Sequence, residues 1–347
     1  MFKIKNRLIG ESQPPYIIAE LSANHNGSLE LAKETIKAAK NNGAHAVKIQ
    51  TYEAHTMTIM SNKPDFLIKG GLWDGYTLYD LYDEAKTPFA WHKELFRYAN
   101  DIGIDIFSSP FDETAVDLLE SLNTPAYKIA SFELTDLPLI KYVAKTNKPI
   151  LMSTGMSTEE EISEALEAAR SEGARDILLF HCISSYPAPI EESNLNMIPV
   201  LKKNFNVEVG LSDHTLGNLA ATLSICKGAS AIEKHFILNK SFKGPDSEFS
   251  MDPNQLSSLV KDTKKAWSSL GNNNFKRAKA EESSMVFRRS IYFVNELKKG
   301  SVISKSDIRR IRPGFGMKPK FFDEIIGMRI NQNVDAGDPV TWEKIDH

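Results

Sequence analysis

The chain repeats one unit eight times: a short run rich in β-branched residues, then a longer amphipathic stretch. The runs cover residues 16–21, 46–52, 105–111, 126–131, 149–154, 176–184, 207–213 and 231–236. Helical periodicity fills residues 29–41, 89–102, 113–122, 137–146, 158–172, 195–205, 218–227 and 254–270. Gly43, Gly103, Gly173 and Gly228 stand where four of these helices should stop, because a residue without a Cβ takes the left-handed terminal conformation at no steric cost. Eight strands separated by eight helices predict a closed (β/α)8 TIM barrel, an α/β fold, over residues 1–270.

Such a barrel gathers its chemistry at the C-terminal ends of its strands. Here those ends are strongly polar. In chain order they carry Glu20 followed by Asn24-His25-Asn26-Gly27, then Lys48 and Gln50, Ser108 and Ser109, and Lys128 and Ser131. Strand five ends in Ser153-Thr154-Gly155, strand six in His181, Ser184 and Tyr186, strand seven in Ser212-Asp213-His214, and strand eight in Glu233-Lys234-His235. Two lysines and several hydroxyls converging on one mouth describe an anion pocket suited to a phosphorylated ligand. The plainer alternative is that Lys48 and Lys128 pair with Glu20 or Glu233 as buried ion pairs. A third is that one lysine is a Schiff-base nucleophile, as in some barrel aldolases.

His214 and His235 lie 21 residues apart, each at the end of an apolar run. On neighbouring parallel strands, about 4.8 Å apart, two imidazoles can share a divalent metal that polarises a carbonyl. Imidazole and oxygen donors suit Mn²⁺, Mg²⁺ or Zn²⁺ and do not choose between them. His25 and His181 are weaker candidates, and His45, His55, His92 and His347 are assigned to packing or surface.

The rest of the composition narrows the partners. With 42 basic and 45 acidic residues the net charge is -3, which favours neither nucleic acid nor a membrane surface. No apolar run reaches membrane-spanning length, and Met1 to Arg7 has charges scattered through it rather than a signal-peptide core. Cys182 and Cys226, the two cysteines, make no disulfide framework and fit a reducing cytoplasm. Small-molecule substrates are expected.

Two segments depart from the repeat. Residues 57–88 are too long for a plain βα connection and carry Phe66, Trp73, Tyr76, Tyr79 and Tyr82; a cover over the barrel mouth and packing on a helix or a subunit partner are equal alternatives. Residues 271–284 are polar and aperiodic, which predicts a linker, and 285–347 form a small second domain. Its stretches at 289–294, 298–303, 308–312 and 339–341 read as short strands joined by tight turns, with no long helix after Ser304. At this size it should dock on a barrel or a second subunit.

Taken together, the motifs resemble the sialic acid synthase family, barrels that condense phosphoenolpyruvate with an amino sugar and carry a C-terminal antifreeze-like (SAF) domain. Ala19-Glu20, Asn24-His25-Asn26-Gly27, Lys48-Ile49-Gln50-Thr51, Ser109-Pro110-Phe111-Asp112 and Lys128-Ile129-Ala130-Ser131 appear in the family's order. So do Ser153-Thr154-Gly155-Met156, His181-Cys182, Tyr186-Pro187, Gly210 to Thr215, Glu233-Lys234-His235-Phe236 and Gly244-Pro245-Asp246. The resemblance covers nearly the whole chain. It implies that Lys48, Ser109, Lys128, Ser131, Ser153, Ser184 and Ser212 hold phosphoenolpyruvate. His214 and His235 would bind Mn²⁺ or Mg²⁺, with Co²⁺ a further candidate.

Gln50, Tyr186, Asp246 and Arg312 would then face the N-acylated sugar, and Glu20 or Glu233 would orient or deprotonate the attacking water. Arg312 matches the family's arginine that reaches into a partner's site, which implies a domain-swapped homodimer. Sialic acid synthases proper follow Gly-Pro-Asp with His, whereas this chain has Ser247 followed by Glu248-Phe249. With the Trp73-Asp74-Gly75-Tyr76 segment, that departure resembles the branch taking a 2,4-diacetamido-2,4,6-trideoxyhexose; the N-acetylneuraminate and legionaminate branches are the alternatives. Ice binding by the C-terminal domain alone is disfavoured, because Lys298, Lys299, Arg309, Arg310 and Arg312 interrupt any flat apolar face.

Overall fold

The computed structural model describes residues 1–71, 73–272 and 274–346. They fall into two units, Met1–Gly271 and Asn272–His347; the assignment of His347 lies outside the described residues. The first unit opens with a hairpin that the sequence pattern had not revealed, β1 (Phe2–Ile4) against β2 (Arg7–Ile9). Eight parallel strands follow: β3 (Tyr16–Glu20), β4 (Ala46–Thr51), β5 (Asp105–Pro110), β6 (Tyr127–Ile129), β7 (Ile150–Ser153), β8 (Ile177–Cys182), β9 (Glu208–Asp213) and β10 (Ala231–His235). Strand β10 pairs with β3, setting His235 opposite Glu20, so the sheet closes into the expected barrel.

The helices are α1 (Leu29–Asn41), α2 (Ala54–Met57), α3 (Leu78–Ala85), α4 (Phe89–Ile102), α5 (Glu113–Ser121), α6 (Leu137–Ala144), α7 (Glu159–Ser171), α8 (Met197–Phe205), α9 (Leu219–Cys226) and α10 (Pro253–Ser269). Their starts are written in short side chains. Ser28 and Asp112 accept from first-turn amides of α1 and α5, and capping boxes Thr158/Glu161 and Asp252/Gln255 open α7 and α10. After α4, Gly103 takes φ 73°, the left-handed stop that its sequence position predicts. Helices α2 and α3 occupy the long segment between β4 and α4, so that segment is built rather than structureless.

Alternation along the strands produces two cores. Outward residues such as Ile17, Val47, Ile49 and Leu179 pack against the helices. Inward residues Tyr16, Ile18, Phe107, Leu178 and Phe180 fill the barrel, together with Phe2, Ile4 and Ile9 from the hairpin. Each fully buried side chain of this size contributes roughly 1.5–3 kcal/mol. The hairpin therefore plugs the barrel with apolar bulk, while the polar residues of the strand ends lie at the other, C-terminal end. Among the described residues, no helix is long and apolar enough to cross a membrane.

The second unit is centred on Ile291, Phe293, Ile303, Ile308, Ile325, Ile330 and Val340. Two of its four expected strands form, β11 (Ser290–Phe293) antiparallel to β12 (Ile308–Ile311). The stretches at 298–303 and 339–341 are not strands; they make single bridges, Val302 to Arg329 and Tyr292 to Pro339. One bridge each fixes their backbone without a ladder, so reading them as strands overstated them.

Candidate active site

The strand ends place a dense charge network in the mouth of the barrel. Lys48 Nζ lies 2.7 Å from Glu20 Oε2 and 3.9 Å from Glu233 Oε1, and Lys128 Nζ lies 3.4 Å from the same Glu233 oxygen. Ser109 Oγ accepts from Lys48 at 3.2 Å, and Ser212 Oγ donates to Glu233 at the same distance. Gln50 reaches Glu20 at 3.1 Å and Ser22 at 3.0 Å. The ion pairs weighed from the sequence thus exist, within the predicted anion site.

Environment drives the two carboxyls apart. Burial pushes Glu20 well above the usual carboxylate range against the pull of Lys48, and the charge of Glu233 adds to the rise. Burial acts on Glu233 as well, but Lys128 and Lys48 outweigh it and hold that group below the usual range. One carboxyl pushed up beside one held down is the pattern from which an acid and a base are drawn. Lys128 is lowered by burial against Glu233, whereas for Lys48 the carboxylates Glu20 and Glu233 overcome burial and raise it.

Beside the lysines is a cradle of hydroxyls around Gly155. A Cβ at Gly155 would stand 2.1 Å from Ser184 Oγ and 2.7 Å from Ser131 Oγ, and Gly155 N donates to Ser131 Oγ at 3.3 Å. Ser153 Oγ is buried and has no hydrogen-bond partner among the described residues. A buried hydroxyl without a partner costs about 1–3 kcal/mol, an expense that an oxyanion in the cradle removes. Gly155→Ala is expected to rotate both serines aside and raise the KM for the anionic substrate by at least about tenfold, because each lost hydrogen bond to a charged group is worth about 1.5–3 kcal/mol. Steady-state kinetics check this; an unchanged KM would remove the cradle from binding.

His214 and His235 do meet, with ring centroids 5.5 Å apart. His214 Nδ1 is 2.9 Å from the Ile183 carbonyl, which assigns that nitrogen the proton; burial opposes the charged ring, but Cys182 and the Ile183 carbonyl outweigh it and raise this imidazole. His235 Nδ1 is buried without a hydrogen bond, 3.7 Å from Asp246 Oδ2, and burial together with the neighbouring His214 holds this imidazole neutral. Asp246 is itself buried and accepts from the Ala23 amide at 3.3 Å. The other described histidines stand elsewhere, and His25 Nε2 is buried without a hydrogen-bond partner among the described residues. His181 Nε2 meets the Ser193 carbonyl at 2.7 Å, His25 packs edge-on to Trp91, His45 accepts from Ile17 N, His92 meets Thr51 Oγ1, and His55 is exposed.

An aromatic wall rises from the imidazoles. Tyr186 lies 4.3 Å from His214 and 5.2 Å from Phe249, and Phe249 packs 4.9 Å from His235. Trp73, from the long β4–α4 segment, reaches Tyr186 with ring centroids 6.2 Å apart, which sets that part of the segment against the aromatic wall. Its Nε1 is shielded from solvent with no acceptor among the described residues. Ser247 is turned onto its own loop, donating to the Gly244 carbonyl at 2.9 Å.

Glu133 escaped the sequence reading. It stands just beyond the C-terminal end of β6, two residues after Ser131; one Oε is buried without a hydrogen-bond partner, and burial raises the carboxyl to about 7 against the pull of Lys128. Its place at a strand end was the available signal. In the second unit, Arg312 follows β12, on an open groove of about 730 Å³ that also includes Arg289, Lys305, Arg309 and Arg310. Among the described residues no three or more His, Cys, Asp or Glu side chains cluster as a complete metal site.

Residues 35–275 match the NeuB family and residues 288–346 the SAF domain. Pseudaminic acid synthase of Helicobacter pylori is 46% identical over 335 residues, covering 96% of this chain and 98% of the relative. Pseudaminic acid synthase of Campylobacter jejuni strain 81-176 is 45% identical over 93% of this chain and 94% of its own length. The N-acetylneuraminic acid synthetase of Leptospira borgpetersenii, solved with citrate, superimposes with a TM-score of 0.74 at 27% identity over 82% of this chain and 94% of that one. A closed eight-stranded barrel, a polar mouth in the expected motif order and matches over most of the length lead to one assignment: this chain belongs to the NeuB family and carries a C-terminal SAF domain.

Proposed function

We propose that this chain condenses phosphoenolpyruvate with 2,4-diacetamido-2,4,6-trideoxy-L-altrose, releasing phosphate and pseudaminic acid, as the names of its bacterial relatives suggest. The observation that carries the reading is an anion cradle, two lysines and two imidazoles sharing one barrel mouth. Lys48 and Lys128, with Ser109, Ser131, Ser153, Ser184 and Ser212, bind the carboxylate and phosphate of phosphoenolpyruvate. Carbon 3 of phosphoenolpyruvate bonds to the sugar aldehyde carbon, whose oxygen becomes a hydroxyl. Water adds to carbon 2 and loses its proton, and the carbon 2–oxygen bond to phosphate breaks. Glu20, Glu233 and Glu133 border this space, and the protonated and ionised members of the set move the protons.

His214 and His235 fit a divalent cation: both rings are buried, His214 has a fixed tautomer, and His235 has a nitrogen without a partner. When bound, Mn²⁺, Mg²⁺ or Co²⁺ supplies Lewis acidity toward the aldehyde oxygen. Gln50, Asp246 and Tyr186 orient the sugar, and the Tyr186, Phe249 and Trp73 wall receives its methyl and acetamido groups. We place catalysis in residues 1–270, with 271–284 linking to the domain at 285–347, and assign Arg312 to the site of a partner copy. Leu216, Leu219 and Leu223, exposed on and beside α9, support a homodimer, and two free cysteines support a cytoplasmic location.

Phosphate release tests the reading. The diacetamido sugar is expected to exceed N-acetylmannosamine by about 100-fold in kcat/KM, since the wall and the buried donor suit the former. No release, or a preference for N-acetylmannosamine, would overturn it. In the same assay Trp73→Phe keeps the ring and removes the N–H, so kcat/KM for the diacetamido sugar should fall about 3- to 10-fold with the phosphoenolpyruvate KM unchanged. Equal loss for both sugars would remove Trp73 from selection.

A further inference from the structure

Behind the two imidazoles, on the opposite face of the same strands, sits a second charged pair. Asp213 and Lys234 stand opposite each other in the β9–β10 register and are each 2% exposed. Side chains alternate along a strand, so with Ser212, His214, Glu233 and His235 on the mouth side, Asp213 and Lys234 point toward the helices. Lys234 Nζ lies 2.7 Å from Asp213 Oδ2 and also donates to the Thr215 carbonyl. Asp213 Oδ1 in turn accepts from Thr215 N at 2.9 Å and from Thr215 Oγ1 at 2.8 Å. The network closes around His214, gripping the residue before it and the residue after it, and ties both to the residue that precedes His235.

Stability is a poor reason for such a pair. Removing two charges from water costs several kcal/mol each, and apolar residues of similar volume in their place are often neutral or stabilising. Geometry is the better reason. A site with two protein ligands depends on holding both rings at one separation, and hydrogen bonds beyond the ligands commonly carry 10- to 100-fold of metal affinity.

We propose that Asp213 and Lys234 are positioning residues, which set the separation of the His214 and His235 rings and so their joint affinity for a divalent cation. The proposal rests on the metal reading above. It is tested by titrating the full-length chain with Mn²⁺ alone, following free Mn²⁺ by electron paramagnetic resonance, with melting temperature measured in parallel. The double variant Asp213→Leu/Lys234→Met removes both charges at once and is expected to keep the parent melting temperature while binding Mn²⁺ about 10- to 100-fold more weakly. Parent-like affinity in that variant overturns the proposal, because a merely structural pair would leave binding intact once the fold is kept. Should the double variant not fold, Thr215→Val decides, since it removes one hydroxyl contact to Asp213 and no charge. A Mn²⁺ affinity weakened about threefold or more supports the proposal, and an unchanged one overturns it. Failure of the parent chain itself to bind Mn²⁺ is a separate outcome, which removes the metal reading and this inference with it.

Discussion

Replacing His214 or His235 with alanine is expected to lower kcat for phosphate release by at least about 10³-fold, the kinetic equivalent of about 4 kcal/mol of lost transition-state stabilisation. The size follows from how few protein ligands the site offers. The two imidazoles lie with ring centroids 5.5 Å apart, and among the described residues no third His, Cys, Asp or Glu completes a metal-holding group. Both are buried, so removing one leaves a cavity that solvent fills without restoring the geometry. Chelator treatment of the parent chain should reproduce the loss, and added Mn²⁺ or Mg²⁺ should reverse it in the parent but not in either variant. Activity retained in excess chelator would remove the metal from the reaction.

Glu133→Gln should produce opposite effects on activity and stability. Burial raises the Glu133 carboxyl from its ordinary 4.5 to about 7. A group whose folded pKa lies above its unfolded value contributes stability that is fully present below the unfolded value and is lost as pH rises through the folded one. For Glu133 that window runs from about 4.5 to about 7. Glutamine never ionises, so at pH 8 the variant should be more stable than the parent by an amount on the order of 1–3 kcal/mol, with the gap closing below pH 4.5. In the proposed reaction the same change also removes a proton carrier within the field of Lys128, and kcat should fall about 10²-fold or more. Denaturant melts across pH and initial rates test the two halves separately. Parent-like kcat would take Glu133 out of the chemistry, and equal stability at pH 8 would contradict the effect of its burial.

Much of this molecule could be read from local patterns. Each barrel strand is a short run rich in β-branched residues, a signal that survives in isolation, and Gly43, Gly103, Gly173 and Gly228 mark helix stops that their positive φ values bear out. Lys48, Lys128, Glu20, Glu233, His214 and His235 were legible as a group because strand ends in a closed barrel must face one mouth. The N-terminal hairpin was not, since three-residue strands are shorter than any period that reveals them. The second unit's single bridges were overstated for the converse reason: short segments between turns were present without a partner strand to extend them. Glu133 escaped because its distinction is an oxygen with no partner, a property of its surroundings rather than of its residue type.

The amino-acid sequence by itself determined the barrel, the residues that reach its mouth and the family to which the chain belongs, because periodicity and motif order are local and survive without coordinates. Only the tertiary structure decided which lysine faces which carboxylate, which of Glu20 and Glu233 is pushed up and which is held down, and that Asp213 and Lys234 close a network behind the histidines. Those outcomes depend on distances of a few ångströms between groups far apart in the chain and on the water excluded from between them. Both are set when the barrel closes, and neither is carried by any one segment.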